Sequence, residues 1–269
     1  MKSVTLLSVP RSGSTWLGQV FDSSPEVRYR FQPNMAYSFA PTLTPSSGRE
    51  EIEHFKQELV TTEDAFVTGR LSISGKEGRS FPKSDPTLLV WKEVHSLYLA
   101  RQLLSTTADS KVIGLIRSPL SVLSSWLSIP KEFDPSWSVA EEWRSGARKN
   151  AGSPDRYFGY DRWKEVCLDF LQLAVTHPGR FCICSYEQLI AKPIACVREL
   201  FDFADLPLTE QTMAFLTRRV VTENPDPYST DRDIERDDRW RDQLPSFIRE
   251  EVLSDPDFQL YARIFGWSH

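Results

Sequence analysis

The chain has 269 residues, of which 40% are hydrophobic, and it carries a formal net charge of −5 at pH 7. Its 16 Phe and 8 Trp residues can furnish the core of one large domain over residues 1–269, so wholesale disorder is not expected. The acidic balance argues against a nucleic-acid partner, because proteins that bind nucleic acids generally carry a basic excess. No apolar run approaches the ~20 residues that span a bilayer, and we expect a cytoplasmic protein with no membrane partner.

The cysteines give no indication of a metal site. None of them forms a Cys-x-x-Cys pair and no His lies at ligand spacing from them, so zinc is not expected. Free thiols in a reducing compartment are the simplest interpretation. The four cysteines are Cys167, Cys182, Cys184 and Cys196.

The chain opens with a predicted strand, a tight loop and a helix. Ser3–Val9 is a short apolar run rich in β-forming residues, and it stops at Pro10. In Ser14–Phe21 the apolar residues recur at helical spacing.

Strands and helices then alternate along the chain. We predict further strands at Thr87–Trp91, Lys111–Ile116 and Arg180–Ser185, and helices at about residues 50–59, 96–104, 119–127, 137–149, 160–176, 194–204, 209–219 and 247–253. This alternation favours an α/β fold of three layers with a central parallel sheet. Ligands in such sheets bind at the carboxyl ends of the strands.

The loop PRSGSTW joins the first strand to the first helix. Successive N–H groups at a helix N-terminus form a cradle for an anion, and the glycine permits a backbone conformation that most residues avoid. A capped helix after an ordinary turn is the alternative interpretation. The loop lacks the lysine of a GxxxxGKS or GxxxxGKT motif, which counts against an ATPase or kinase that binds Mg²⁺. The predicted residues of this P-loop-like anion site are Arg11, Ser12, Gly13, Ser14, Thr15 and Trp16.

A second motif follows the predicted strand Lys111–Ile116. Arg117 ends the strand, Pro119 suits the first turn of a helix, and Ser125 lies two turns along it. Arginine offers a forked donor for a phosphate dianion, and serine offers a neutral donor beside it.

Together the two motifs resemble those of the sulfotransferases that use 3′-phosphoadenosine 5′-phosphosulfate (PAPS). In that family a basic residue in the position of Arg11 contacts the 5′-phosphosulfate of the sulfuryl donor, and an aromatic residue in the position of Trp16 packs on the adenine. PRSGSTW is therefore called the donor loop. An arginine and a serine eight residues apart, like Arg117 and Ser125, bind the 3′-phosphate. The resemblance implies PAPS as co-substrate, 3′-phosphoadenosine 5′-phosphate (PAP) as product, and no metal.

Two further segments resemble the family. Ser185–Pro193 is similar to a Tyr-Glu segment whose tyrosine lies near the nucleotide, which implies that role for Tyr186. Tyr228–Trp240 stands where the family has a basic, glycine-containing loop over the 3′-phosphate. Here that segment has no glycine and many aspartates, and Arg232 and Arg236 are the candidate phosphate ligands.

Two residues are candidates for the general base that takes the acceptor's proton. Cytosolic family members carry Lys-x-His after the second strand, whereas this chain has Lys92, Glu93 and then His95, one residue late. Other relatives carry Glu-Pro after the first helix, where this chain has Gln32 and Pro33. We favour His95 narrowly because histidine titrates near neutrality; Glu93 lies closer to the strand end. The resemblance implies that Lys92 assists the transferring group.

Residues of about 30–87 are predicted to shape an acceptor pocket or lid within the single domain. Their mixture of aromatic and basic residues, with Arg30 among the cations and Arg28 just before them, suits a hydroxyl or amine of a small molecule or sugar. Two other functions stay open: a P-loop nucleotide kinase or hydrolase, and a module that binds PAP or PAPS without catalysis. The replacement of a carboxylate by Gln32 is the best support for the last. The sequence does not indicate the oligomeric state.

Overall fold

A computed structural model describes residues 1–36, 39, 42–71, 78–218 and 237–267. Within these residues five strands form one parallel sheet in the order β2-β3-β1-β4-β5. The strands are β1 (Lys2–Leu7), β2 (Val27–Phe31), β3 (Leu88–Glu93), β4 (Ser110–Ile116) and β5 (Phe181–Ser185).

Helices cover both faces of the sheet, and each face has its own hydrophobic core. On one face α1 and α9 pack on the strands, and on the other α2, α3, α4 and α7 do. The predicted three-layer α/β fold is confirmed. The helices are α1 (Ser14–Asp22), α2 (Arg49–Thr61), α3 (Leu99–Thr106), α4 (Pro119–Leu127), α5 (Val139–Glu142), α6 (Ala147–Asn150), α7 (Tyr160–Thr176), α8 (Tyr186–Ala191), α9 (Pro193–Phe203), α10 (Glu210–Leu216), α11 (Trp240–Gln243), α12 (Ser246–Ser254) and α13 (Pro256–Phe265).

The site is positioned by the centre of this sheet. Strand β1 lies between β3 and β4, and the helices that follow β1 and β4 leave toward opposite faces. A parallel sheet opens a crevice where consecutive connections diverge in this way. The loops after β1 and β4 border this crevice.

Strand β2 was not predicted, because two arginines interrupt its apolar run. Both side chains donate hydrogen bonds to carbonyls in the last turn of α2. Arg28 donates to Val60 at 2.9 Å and Arg30 to Leu59 at 2.5 Å. Cations near a helix C-terminus satisfy carbonyls that lack a partner within the helix. These two arginines therefore hold α2 against the edge of the sheet, and their expected role in an acceptor pocket stays a prediction.

The single helix predicted over residues 137–149 is also wrong. The chain forms two short helices, α5 and α6, with Gly146 between them at a φ of +56°. A Cβ at Gly146 would lie 2.6 Å from the carbonyl oxygen of Phe158, so the close approach of this loop requires glycine. Helix α13 was not predicted.

Within the described part of the chain, no helix is long and apolar enough to cross a membrane. Nor do the described residues bring three or more potential metal ligands together. The four cysteines carry free thiols.

Candidate active site

The loop after β1 has the backbone of an anion cradle. Arg11 and Gly13 both have positive φ values, 70° and 88°, and the Gly13 carbonyl accepts the N–H groups of Trp16 and Leu17 at 3.1 and 3.3 Å. Residues that alternate between right-handed and left-handed helical conformations turn successive N–H groups toward one point. Helix α1 begins at Ser14, so the positive end of its dipole also favours an anion at this point.

Two serine hydroxyls, one just before the loop and one within it, lack a protein partner among the described residues. The Oγ atoms of Ser8 and Ser12 are buried and have no hydrogen-bond partner among the described residues. A buried hydroxyl without a partner is costly. An anion in the cradle would supply the missing acceptor.

Gly13 is required by its neighbour as well as by its backbone. A Cβ there would lie 2.4 Å from Cε2 of Tyr186, which is too close for two non-bonded carbon atoms. The ring of Tyr186 therefore packs directly on the backbone of the loop. The sequence reached both residues through separate motifs, and the structure joins them.

Arg117 lies at the end of β4 and is 8% exposed. Its Nη1 donates to the carbonyl of Arg11 at 2.7 Å, and its Nε donates to Oδ2 of Asp237 at 2.6 Å. Burial lowers the pKa of Arg117, but the hydrogen bonds and charge of Asp237 outweigh burial and raise it above its ordinary value. The guanidinium also lies 4.5 Å from the ring centre of Tyr186. Arg117 thus stays charged and is fixed on three sides.

The two predicted phosphate-binding motifs meet in one place. Nε of Arg11 donates to Oγ of Ser125 at 3.2 Å, across 114 positions in the chain. These residues and Arg117 border a cleft of about 190 Å³. The cleft is lined by Arg11, Arg117, Ser121, Ser124, Ser125, Ser128, Ile129, Asp237, Arg239, Trp240 and Gln243.

Sequence reasoning missed most of the wall that α4 gives to this cleft. Ser121, Ser124, Ser125 and Ser128 recur at intervals of three and four residues, which places them on one face of a helix. Only Ser125 was predicted, although the spacing was visible in the sequence. Another wall, from Asp237 to Gln243, comes from a distant part of the chain. Nothing in the sequence around Asp237 indicated that it belongs to the site.

The Tyr-Glu segment ties the two motifs together. While Tyr186 packs between the donor loop and Arg117, the carboxylate of Glu187 accepts the N–H of Ser118 at 2.7 Å. Glu187 therefore holds the turn that presents Arg117. Its role was not predicted.

Lys92 lies on the α1 side of the sheet. Its Nζ is 3.5 Å from Oγ1 of Thr15 and 4.2 Å from the centre of the Phe31 ring. Burial lowers the pKa of Lys92 to about 7; Arg11 acts in the same direction and Glu93 opposes it. A phosphate or sulfate in the cradle would restore the charge of this amine.

Glu93 ends β3 and is fully buried. Its carbonyl accepts the N–H of Ser8 at 3.3 Å, so it borders the donor loop. Oε1 accepts the N–H of Asn34 at 2.7 Å, while Oε2 has no hydrogen-bond partner among the described residues. Burial raises the pKa of Glu93 to about 8.

His95 lies two residues further along, where its ring packs 6.2 Å from the ring of Phe158. Burial lowers the pKa of His95 to about 4, and the charge of Arg156 contributes. Neither His95 nor Glu93 is among the residues that line the described cleft.

The remaining predicted residues divide into two groups. Trp16 is partly buried and packs against the core on the α1 face. Arg232 and Arg236 lie outside the described residues, so their predicted role stays a prediction.

Residues 3–210 match the model of the sulfotransferase family. The chain belongs to this family. It is 25% identical over 151 residues to carbohydrate sulfotransferase 3 of Mus musculus, a match that covers 54% of the chain and 31% of that protein. The match thus spans less than a third of the length of this relative.

Solved structures of other proteins share the fold. Mouse sulfotransferase SULT7A1 complexed with PAP superposes with a TM-score of 0.56 at 14% identity, over 97% of this chain and 84% of that one. Retinol dehydratase in a complex with retinol and PAP gives a TM-score of 0.52 at 15% identity, over 93% of this chain and 78% of that one.

Proposed function

We propose that this sulfotransferase-family chain transfers the sulfuryl group of PAPS to a hydroxyl or amine of a small molecule or sugar. One observation carries the proposal: Arg11 and Arg117, from the ends of two adjacent strands, converge with Ser125 on a single cleft. Two cationic groups on one crevice suit a ligand with anionic groups at two positions. PAP is such a ligand, and two proteins of the same fold bind it.

The residues of the cleft and of the adjoining loop after β1 fit the donor. The N–H groups of the loop, with the partnerless hydroxyl of Ser12, would hold the 5′-phosphosulfate. Arg117 and Ser125 would hold the 3′-phosphate, since a guanidinium matches two phosphate oxygens at once. Trp16 would contact the adenine.

PAPS supplies an activated sulfuryl group, and PAP leaves with the electron pair of the broken S–O bond. Arg11 and Lys92 would stabilise the negative charge that grows on the 5′-phosphate oxygen. Lys92 is suited to this because it is buried beside Thr15, where an electrostatic interaction is stronger than in water. The loop amides hold the same oxygens without needing to reorganise.

We propose Glu93 as the base that takes the acceptor's proton, although the sequence narrowly favoured His95. Two features support Glu93: it borders the donor loop, and its Oε2 lacks a partner. A base works best with a pKa near the operating pH. The pKa of Glu93, about 8, lies closer to neutral pH than the pKa of His95, about 4, and so favours Glu93. His95 remains the alternative.

The kinase or hydrolase alternative predicts a different ligand. A kinase or hydrolase would bind ATP with Mg²⁺, whereas a sulfotransferase needs a 3′-phosphate and no metal. We expect calorimetry to give PAP binding in the presence of EDTA at least about tenfold tighter than ATP binding in the presence of Mg²⁺, a difference of about 1.4 kcal/mol. Binding of ATP that exceeds that of PAP and requires Mg²⁺ would support the hydrolase instead.

A further inference from the structure

The guanidinium of Arg117 already holds an anion from its own chain. Nε donates to Oδ2 of Asp237 at 2.6 Å, and Nη2 donates to Oδ1 of the same carboxylate. The side chains are only 10% and 7% exposed. This is a two-point, charge-assisted pair shielded from water, the strongest class of side-chain hydrogen bonding.

The carboxylate occupies the edge of Arg117 that a phosphate would use. The parallel Nε and Nη2 donors fit two oxygens of one anion. Of the other positions, Nη1 donates to the Arg11 carbonyl at 2.7 Å, and the ring of Tyr186 covers one face at 4.5 Å. A phosphate that takes the two-point contact with Nε and Nη2 of Arg117 must therefore replace Asp237.

We propose that Asp237 is an internal competitor for the 3′-phosphate and thereby sets the affinity of the donor site. The inference rests on the proposed function, because it takes PAP as the ligand that Arg117 recognises. A phosphate dianion displaces the carboxylate through its greater charge and its additional acceptor oxygens. A nucleotide without a 3′-phosphate leaves the pair of Arg117 and Asp237 intact.

The main chain beside Asp237 is held independently of its carboxylate. Its carbonyl oxygen accepts the hydroxyl of Ser121 on α4 at 3.2 Å, and Trp240, at the start of α11, is buried three residues later. The carboxylate can thus turn away from Arg117 while this wall of the cleft stays in place. The exchange of anions then needs rotation of one short side chain.

The test compares two nucleotides on three proteins. Adenosine 5′-monophosphate (AMP) serves as the probe without a 3′-phosphate, and calorimetry measures AMP and PAP binding to the wild type, Asp237→Asn and Asp238→Asn. Asp238 is the matched control, because it is the adjacent, exposed aspartate and its removal changes the net charge equally. We expect Asp237→Asn to bind PAP at least about tenfold tighter than wild type, because the competing charge is gone, and AMP within about twofold. Asp238→Asn should change neither affinity by more than about twofold.

A second neutral variant protects the test against misfolding. Asp237→Ser retains a hydrogen-bond acceptor for Arg117 without the charge, and it should give the same gain in PAP affinity. If the wild type binds PAP and neither neutral variant gains more than Asp238→Asn does, Asp237 is no competitor, and the proposed function stands without it. If none of the proteins binds PAP, the proposed function and this inference fail together.

Discussion

Replacing Glu93 by Gln is expected to lower kcat for sulfuryl transfer by at least about 100-fold while PAP affinity changes by less than about threefold. The amide keeps the shape and can still accept the N–H of Asn34, which the carboxylate binds at 2.7 Å. It cannot take a proton from the acceptor. The measurement is steady-state transfer with saturating PAPS, together with PAP calorimetry on the same preparation.

The matched control is His95→Ala, which removes the other candidate base. We expect this variant to keep kcat within about fivefold of wild type, because a histidine with a pKa near 4 is a weak base. A large loss in His95→Ala with an active Glu93→Gln would reverse the assignment.

The pH dependence separates the two bases without mutation. Since burial raises the pKa of Glu93 to about 8, the ionised base accumulates only as the pH rises, and kcat/KM should climb to a plateau above that value. A base with the pKa of His95, about 4, would give a flat profile across the neutral range. The rising limb should be absent from the residual activity of Glu93→Gln.

The same pKa change affects stability, which provides a readout that does not depend on the acceptor. The folded chain binds the Glu93 proton more tightly than the unfolded chain, because the pKa rises from 4.5 to about 8. The contribution of Glu93 to stability is therefore greatest below pH 4.5 and is lost as the pH rises toward 8. Relative to Glu93→Gln, the wild type should lose more than about 1 kcal/mol of unfolding free energy across that interval.

The second large effect is expected at Arg117. The Arg117→Ala variant should weaken PAP binding by at least about 100-fold, because it removes a two-point donor to a phosphate from a buried position. The folded protein should also lose about 3–5 kcal/mol of stability, since the buried carboxylate of Asp237 is left without its cation. Urea unfolding and PAP calorimetry measure the two effects separately.

A double variant distinguishes the two losses. In Arg117→Ala with Asp237→Asn no charge is left unpaired at this position, so most of the lost stability should return. PAP affinity should stay low, because the donor to the phosphate is still missing. Recovery of PAP binding in the double variant would mean that Arg117 only neutralises Asp237 and does not bind the nucleotide.

The parts of this fold that sequence could predict are those set by local pattern. The run before Pro10, the helical spacing after Ser14 and the Arg117–Ser125 spacing each depend on a few neighbouring residues. They led to the sheet, the donor loop and the second motif. The contact between Arg11 and Ser125 brings the two motifs to one cleft, while their roles in binding stay a prediction.

The features that sequence could not predict depend on distant partners. Strand β2 carries two arginines, which only the carbonyls at the end of α2 make compatible with a buried strand. The choice between Glu93 and His95 turns on burial, which raises one pKa and lowers the other. Asp237 is one of many aspartates in its segment, and only the fold brings it to Arg117.

The most direct test of the account is transfer of a labelled sulfuryl group from PAPS. The purified chain is incubated with ³⁵S-labelled PAPS and panels of sugars, phenols, alkyl alcohols and amines, with EDTA present throughout. The account predicts that label moves to at least one acceptor, that one PAP forms per sulfated product, and that Arg117→Ala and Glu93→Gln each lower the transfer by at least about 100-fold at limiting PAPS. PAP binding with no transfer to any acceptor in the panels would instead support a nucleotide-binding module without catalysis. Transfer undiminished in both variants would contradict the assignment of Arg117 and Glu93 to the active site.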